Sequence, residues 1–198
     1  SGSATVYIKP QPTADFTASV ESGCAPLNVA FSNMSTQADA FAWDFGNGAS
    51  AMTPNAATAF DADGIETTYT VTLTAMDDLG CTSTTTREIT AFPAADFTLA
   101  LPADSACSPL QLTMPVLDGA QAITWNFGDG TTAAGQAPTH TWENTTGELM
   151  TATVSFSAET ENGCAGTATA EVNVKPQPEA NFTADVVAGC EPMVSTFT

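Results

Sequence analysis

The chain has 198 residues, with 22 acidic against 3 basic side chains and a net charge of −19. Only Lys9, Arg87 and Lys175 could neutralise phosphate, which excludes nucleic acid as a partner and argues against binding to an anionic membrane surface. Apolar residues come in short alternating runs, none near the ~20 that a membrane helix needs, so no membrane insertion is expected of this segment.

In chain order, residues 1–9 read as the last strand of a preceding repeat, because Ser3–Lys9 resembles Thr169–Lys175. A first whole repeat spans 13–92. It opens with Ala14-Asp15-Phe16-Thr17 and Gly23-Cys24-Ala25-Pro26-Leu27, continues through Trp43-Asp44-Phe45-Gly46-Asn47-Gly48, and closes with Asp78-Leu79-Gly80-Cys81. A second spans 94–175, with Ala95-Asp96-Phe97-Thr98, Ala106-Cys107-Ser108-Pro109-Leu110, Trp125-Asn126-Phe127-Gly128-Asp129-Gly130 and Glu161-Asn162-Gly163-Cys164. Residues 179–198 read as the start of a following repeat, with Ala180-Asn181-Phe182-Thr183 and Gly189-Cys190-Glu191-Pro192-Met193, and the Lys9-Pro10-Gln11-Pro12 linker returns as Lys175-Pro176-Gln177-Pro178. Cys24, Cys107 and Cys190 are 83 residues apart, as are Cys81 and Cys164. Several landmarks sharing one period in one order mark a repeat array, and the expectation is a longer parent with at least four repeats.

Within each unit the pattern is strand and turn. Thr70–Ala75 and Thr151–Phe156 alternate polar and apolar, the period of a half-buried strand. The Gly-Asn-Gly and Gly-Asp-Gly segments supply the positive-φ positions of tight hairpins. Turns every ~8–12 residues predict about seven short strands per unit, an all-β array of immunoglobulin-like sandwiches. Trp43, Phe45, Trp125 and Phe127 are expected in the cores. The spacing of 57 residues from Cys24 to Cys81 and from Cys107 to Cys164 predicts one disulfide inside each repeat, with Cys190 paired outside the fragment, and hence an oxidising compartment.

The two Trp-Asp/Asn-Phe-Gly-Asn/Asp-Gly segments resemble the W-D-F-G-D-G signature of PKD (polycystic kidney disease) domains, and Pro138-Thr139-His140-Thr141-Trp142 resembles the stretch that follows it. The added cysteine motifs look like those of disulfide-bearing PKD repeats in large surface proteins of gliding Bacteroidetes-type bacteria. The resemblance implies a seven-stranded sandwich and a role as spacer, stalk or adhesin. Asn47, Asn126 and Thr58 depart from the family's Asp, Asp and His. Asp and Asn at those positions are expected to cap turn backbone, which either residue does.

No catalytic constellation is visible. His140 is the single histidine, and it is expected to pack or hydrogen-bond beside Trp142. No cofactor is expected apart from calcium, for which Asp61, Asp63, Asp77 and Asp78 are the candidate ligands, with a looser second set in Glu143, Glu148, Glu159 and Glu161. Asp104-Ser105-Ala106 resembles a short O-glycan acceptor at Ser105, and Asn33, Asn144 and Asn181 stand in N-x-S/T triplets. The reading that follows is a non-catalytic stalk or shaft segment of a secreted cell-surface adhesin or extracellular filament, of the kind used in gliding motility. Its partners would be neighbouring repeats of the same chain, with self-association into fibres open. The alternatives are a polysaccharide- or surface-binding module, or spacer repeats of a secreted hydrolase.

Overall fold

The computed structural model describes residues 8–178, 182–185, 188–192 and 194–196. Among these the chain is all-β, with no helix. Most of the expected strand at 1–9, and parts of the expected repeat start at 179–198, lie outside the described residues.

The first half builds eight strands: β1 (Phe16–Ala18), β2 (Ser22–Cys24), β3 (Leu27–Asn33), β4 (Ala40–Asp44), β5 (Ser50–Ala51), β6 (Ala56–Phe60), β7 (Thr67–Met76) and β8 (Thr82–Phe92). They form a three-stranded sheet, β1-β3-β6, and a five-stranded sheet, β2-β8-β7-β4-β5. The period-2 pattern decides which face is buried. On β7, Val71, Leu73 and Ala75 are buried while Thr70 is exposed and Thr72 and Thr74 are only partly covered, and on β3 Leu27, Val29 and Phe31 are buried. The alternating residues meet in one core of Phe16, Phe31, Trp43, Phe45, Phe60, Leu73 and Ile89 with their neighbours. The aromatic rings pack both edge-on, as in Phe16 against Trp43 at 5.0 Å between centroids, and stacked, as in Trp43 on Phe45.

The second half builds β9 (Ser105–Cys107), β10 (Leu110–Thr113), β11 (Gln121–Asn126), β12 (Thr132–Ala134), β13 (Thr139–Trp142), β14 (Met150–Glu159) and β15 (Ala165–Lys175). Its sheets are β10-β13 and β12-β11-β14-β15-β9. This repeats the order of the first half without a counterpart of β1: the Ala95–Thr98 motif is irregular, although it matches β1 in sequence. By contacts the chain forms two compact units, residues 1–98 with 117–124 and 157–168, and residues 99–116 with 125–156 and 169–198. The turn joining β14 to β15 therefore belongs to the first unit.

Gly46 and Gly128 hold φ of 73° and 79° in the β4–β5 and β11–β12 turns. A Cβ on Gly128 would stand 2.6 Å from the Thr153 carbonyl oxygen, and one on Gly46 would stand 2.8 Å from that of Thr70. Both positions need glycine twice over, for backbone conformation and for the close approach of the neighbouring strand. Gly130 has φ of 93° with open space around it. Gly128→Ala is therefore expected to cost about 2–4 kcal/mol, and Gly130→Ala only the ~1 kcal/mol of a strained backbone. Urea unfolding of the two variants checks the order.

Candidate functional site

The turn after each buried Trp is built by side chains that cap backbone. Asp44 Oδ1 accepts from Gly46 N and Asn126 Oδ1 from Gly128 N, both at 2.9 Å. One step on, Asn47 Oδ1 accepts from Ala49 N and Asp129 Oδ1 from Thr131 N, both at 3.0 Å. Asp and Asn serve equally as acceptors here, which is why the two halves differ freely at these places.

The far ends of these residues 47 and 129 staple the turn to the next strand. Asn47 Nδ2 donates to the Ala59 carbonyl at 2.9 Å and lies 3.4 Å from Thr58 Oγ1. In the second half His140 replaces Thr58, and its Nε2 lies 2.7 Å from Asp129 Oδ2. The His140 ring stacks on Phe127 at 4.1 Å and meets Trp142 edge-on at 4.6 Å. The pair is thus a structural link, in keeping with the packing expected of His140 beside Trp142. Partial burial works against the charge on Asp129. Hydrogen bonds from the Thr131 hydroxyl and amide and from His140 outweigh it, and hold the carboxyl below its usual range.

Trp43, Trp125 and Trp142 are buried, and each indole N–H has a backbone acceptor: Thr53, Gly135 and Phe127 respectively, at 2.9–3.0 Å. Phe45 and Phe127 are buried beside them. None of these rings is offered to a ligand.

The four aspartates expected to hold calcium do not converge. Asp61 and Asp63 precede β7 and Asp77 and Asp78 follow it, and ten residues of strand put them roughly 30 Å apart. Asp77 is buried and its Oδ1 accepts from Leu79 N and Cys81 N, shaping the β7–β8 turn. Asp78 pairs with Lys9, which also reaches Asp39 at 3.3 Å. The hydrogen bond from Lys9 dominates in lowering the Asp78 carboxyl. Among the described residues no group of three or more His, Cys, Asp or Glu gathers as a metal site. Ser105 is exposed on β9, an edge strand. Asn144 is buried, with its Nδ2 donating to the Glu148 and Val174 carbonyls, so its amide is taken by the fold rather than open to a glycan. Asn181 lies outside the described residues.

The cysteines overturn the pairing expected inside each repeat. Cys24 is bonded to Cys164, 140 residues away, with Cα atoms 5.6 Å apart, and Cys81, Cys107 and Cys190 are exposed thiols. The reason lies in strand length. β2 runs parallel to the end of β8 with Cys24 opposite Phe92, whereas Cys81 sits just before Thr82 at the start of β8. Eleven residues at ~3.3 Å each separate them by about 35 Å, far beyond the ~7 Å that a disulfide spans between Cα atoms. Eleven residues of β15 likewise lie between Cys164 and the strand end paired with Cys107. Spacing in sequence gave no sign of this, because the offset from Cys24 to Cys164 is as compatible with the period as the offset to Cys81.

A PKD domain family model matches residues 8–91 and 111–176. The chain belongs to the PKD domain family. Among solved structures, the PKD1 domain from the Vibrio cholerae metalloprotease PrtV is similar at 29% identity, covering 42% of this chain and 99% of that one, with a TM-score of 0.35. The PKD1 domain of Vibrio anguillarum Epp is similar at 30% identity over 43% of this chain and 99% of that one, with a TM-score of 0.36. A solved structure from a study of host cell surface retention of a 1.5-MDa bacterial ice-binding adhesin is similar at 12% identity, over 86% and 67% of the two chains, with a TM-score of 0.36. No curated protein shows significant sequence similarity to the chain.

In these PKD repeats the Asp129 carboxylate is a folded-state group held below its ordinary value. Its contribution is present above about pH 4, where the unfolded carboxyl is also ionised, and is lost as pH falls through the folded value. Stability measured by unfolding followed through tryptophan fluorescence should fall as pH drops from about 4 towards 2. The loss should be smaller in Asp129→Asn, which keeps the turn acceptor. Equal acid sensitivity of the two proteins would contradict the assignment.

Proposed function

We propose that this chain is a load-bearing, non-catalytic segment of a secreted stalk, the shaft of a long cell-surface adhesin or extracellular filament. The observation that carries the reading is the Cys24–Cys164 bond, which joins a cysteine of the first PKD match to one of the second. Tension applied to the ends passes through this bond and leaves the 140-residue span from Cys24 to Cys164 out of the extended path. Closing a loop of that size removes about 5 kcal/mol of chain entropy from the unfolded state in the loop-closure account. A disulfide fits an oxidising, extracellular compartment.

Other features support a stiff spacer. The linker that leads into the first repeat is fastened to it. Lys9 is paired with Asp39 and Asp78, Gln11 Nε2 donates to the Thr82 carbonyl, and Ala14 N donates to Ser83 Oγ. Prolines at positions 10 and 12 stiffen the same segment. No helix among the described residues is long and apolar enough to cross a membrane. A sugar-binding face would call for exposed aromatic rings, and among the described residues Phe182 is the exposed large aromatic.

Pulling single molecules by their ends checks the reading. The oxidised chain should extend only through the residues outside the Cys24–Cys164 span. Reduction should release a further ~500 Å, from about 140 residues at ~3.6 Å each. Full extension of the oxidised chain at low force would contradict a load-bearing role. Tight binding of a polysaccharide to the folded chain would favour the binding-module alternative.

A further inference from the structure

Each repeat presents two cysteines in two fixed settings, and the two halves share the same backbone pattern in how they do so. The closing cysteine ends a tight turn. Asp77 N donates to the Cys81 carbonyl and Thr160 N to the Cys164 carbonyl, at 3.0 and 2.9 Å. Cys81 N donates to Asp77 Oδ1 and Cys164 N to Thr160 Oγ1. Gly80 N and Gly163 N complete the two turns by donating to the Asp77 and Thr160 carbonyls.

The opening cysteine ends a short strand parallel to the last strand of the sheet. Cys24 stands opposite Phe92 and Cys107 opposite Lys175. The residue after each donates to the same strand end, Ala25 N to the Phe92 carbonyl and Ser108 N to the Lys175 carbonyl, at 2.8 and 2.9 Å.

One opening cysteine and one closing cysteine of these four are bonded, and they belong to successive repeats: Cys24 with Cys164. Cys81 and Cys107 remain as exposed thiols in settings equivalent to those of the two bonded sulfurs. They are not each other's partners by the rule that Cys24 and Cys164 obey, since Cys107 opens the repeat after the one Cys81 closes. Beside Cys107, moreover, an open cleft lies between Ser108, Pro109, Glu143, Gly147 and Pro176. It flanks the opening cysteine of the second repeat, the counterpart of the one that holds the 160–164 turn in the first.

We infer that Cys107 and Cys81 are half-sites for further copies of this repeat. The opening cysteine of every repeat bonds the closing cysteine of the repeat that follows, so that a PKD array of this type carries a ladder of disulfides from repeat to repeat. Cys107 takes the closing cysteine of the next copy, and Cys81 takes the opening cysteine of the copy before. Cys190, in the opening position of its own repeat, follows the rule of Cys24 and Cys107. As each bond forms, two thiols lose two protons and two electrons to a disulfide oxidant, such as oxidised glutathione or the disulfide of an oxidoreductase, which leaves as two thiols. The tether between successive repeats supplies the effective concentration that favours this pairing over pairing between chains. This pairing rule goes beyond the stalk reading and does not depend on it.

The test adds a copy of residues 33–92 after Thr198, where Phe197-Thr198 aligns with Phe31-Ser32, to complete a third repeat. The protein is oxidised in a glutathione buffer, its free thiols are alkylated, and its disulfides are mapped by mass spectrometry without reduction. The 198-residue chain has three free thiols. The extended chain gains a cysteine yet should show only two free thiols, Cys81 and Cys190, with Cys107 bonded to the added copy of Cys81. Cys107 found alkylated, or bonded to Cys164 or Cys190, would overturn the inference. Should the added segment fail to fold, the 198-residue chain oxidised at high concentration gives a second reading. Covalent dimers should join Cys107 or Cys190 to Cys81. Dimers dominated by Cys81–Cys81 or Cys107–Cys107 links, or no dimers at all, would overturn it.

Discussion

An eleven-residue strand separates the two cysteines of each repeat, and most of what distinguishes this chain follows from that length. β8 places Cys24 and Cys81 about 35 Å apart at opposite ends of one sheet. No rotamer change or loop adjustment closes such a gap. Cys24 is bonded instead to Cys164, in the β14–β15 turn that belongs to the same compact unit. Had the closing strand been a short β-bridge, the same cysteines would have clipped a repeat to itself and contributed only local stability.

The sandwiches between the sulfurs depend on ordinary packing with little tolerance at a few points. The Trp indoles fill the core and still satisfy their N–H groups on backbone carbonyls. Gly46 and Gly128 let the neighbouring long strand come within backbone contact of the turn after each Trp. The Asn47–Ala59 and Asp129–His140 links then fix that turn to the opposite sheet by different chemistry in the two halves. The surface carries the acidic excess, and two of the three basic residues, Lys9 and Arg87, are engaged with carboxylates of the first repeat.

The period, the strand pattern and the core were legible in the sequence because each rests on local physics. Alternation on β7 and β14 is read directly from Thr70–Ala75 and Thr151–Phe156, and Trp43, Phe45, Trp125 and Phe127 are buried where a large apolar ring has little alternative. The capping by Asp44 and Asn126 was legible for the same reason. The sulfur pairing was not, because a fixed period makes an in-repeat and a next-repeat partner equally regular, and only the strand length tells them apart. Asp61, Asp63, Asp77 and Asp78 looked like one acidic group in sequence, but β7 runs between them. Asn144 carried a glycan-acceptor pattern, while its amide is consumed in joining its loop to β15. The Ala95–Thr98 motif repeats the β1 sequence yet forms no strand, so identity of four residues did not secure identity of structure.

The most direct test of this account is a disulfide map of the oxidised 198-residue chain, by digestion and mass spectrometry without reduction. The account predicts one linked peptide pair carrying Cys24 and Cys164, with Cys81 and Cys107 recovered as alkylated thiols. Linked pairs carrying Cys24 with Cys81 and Cys107 with Cys164 would contradict it.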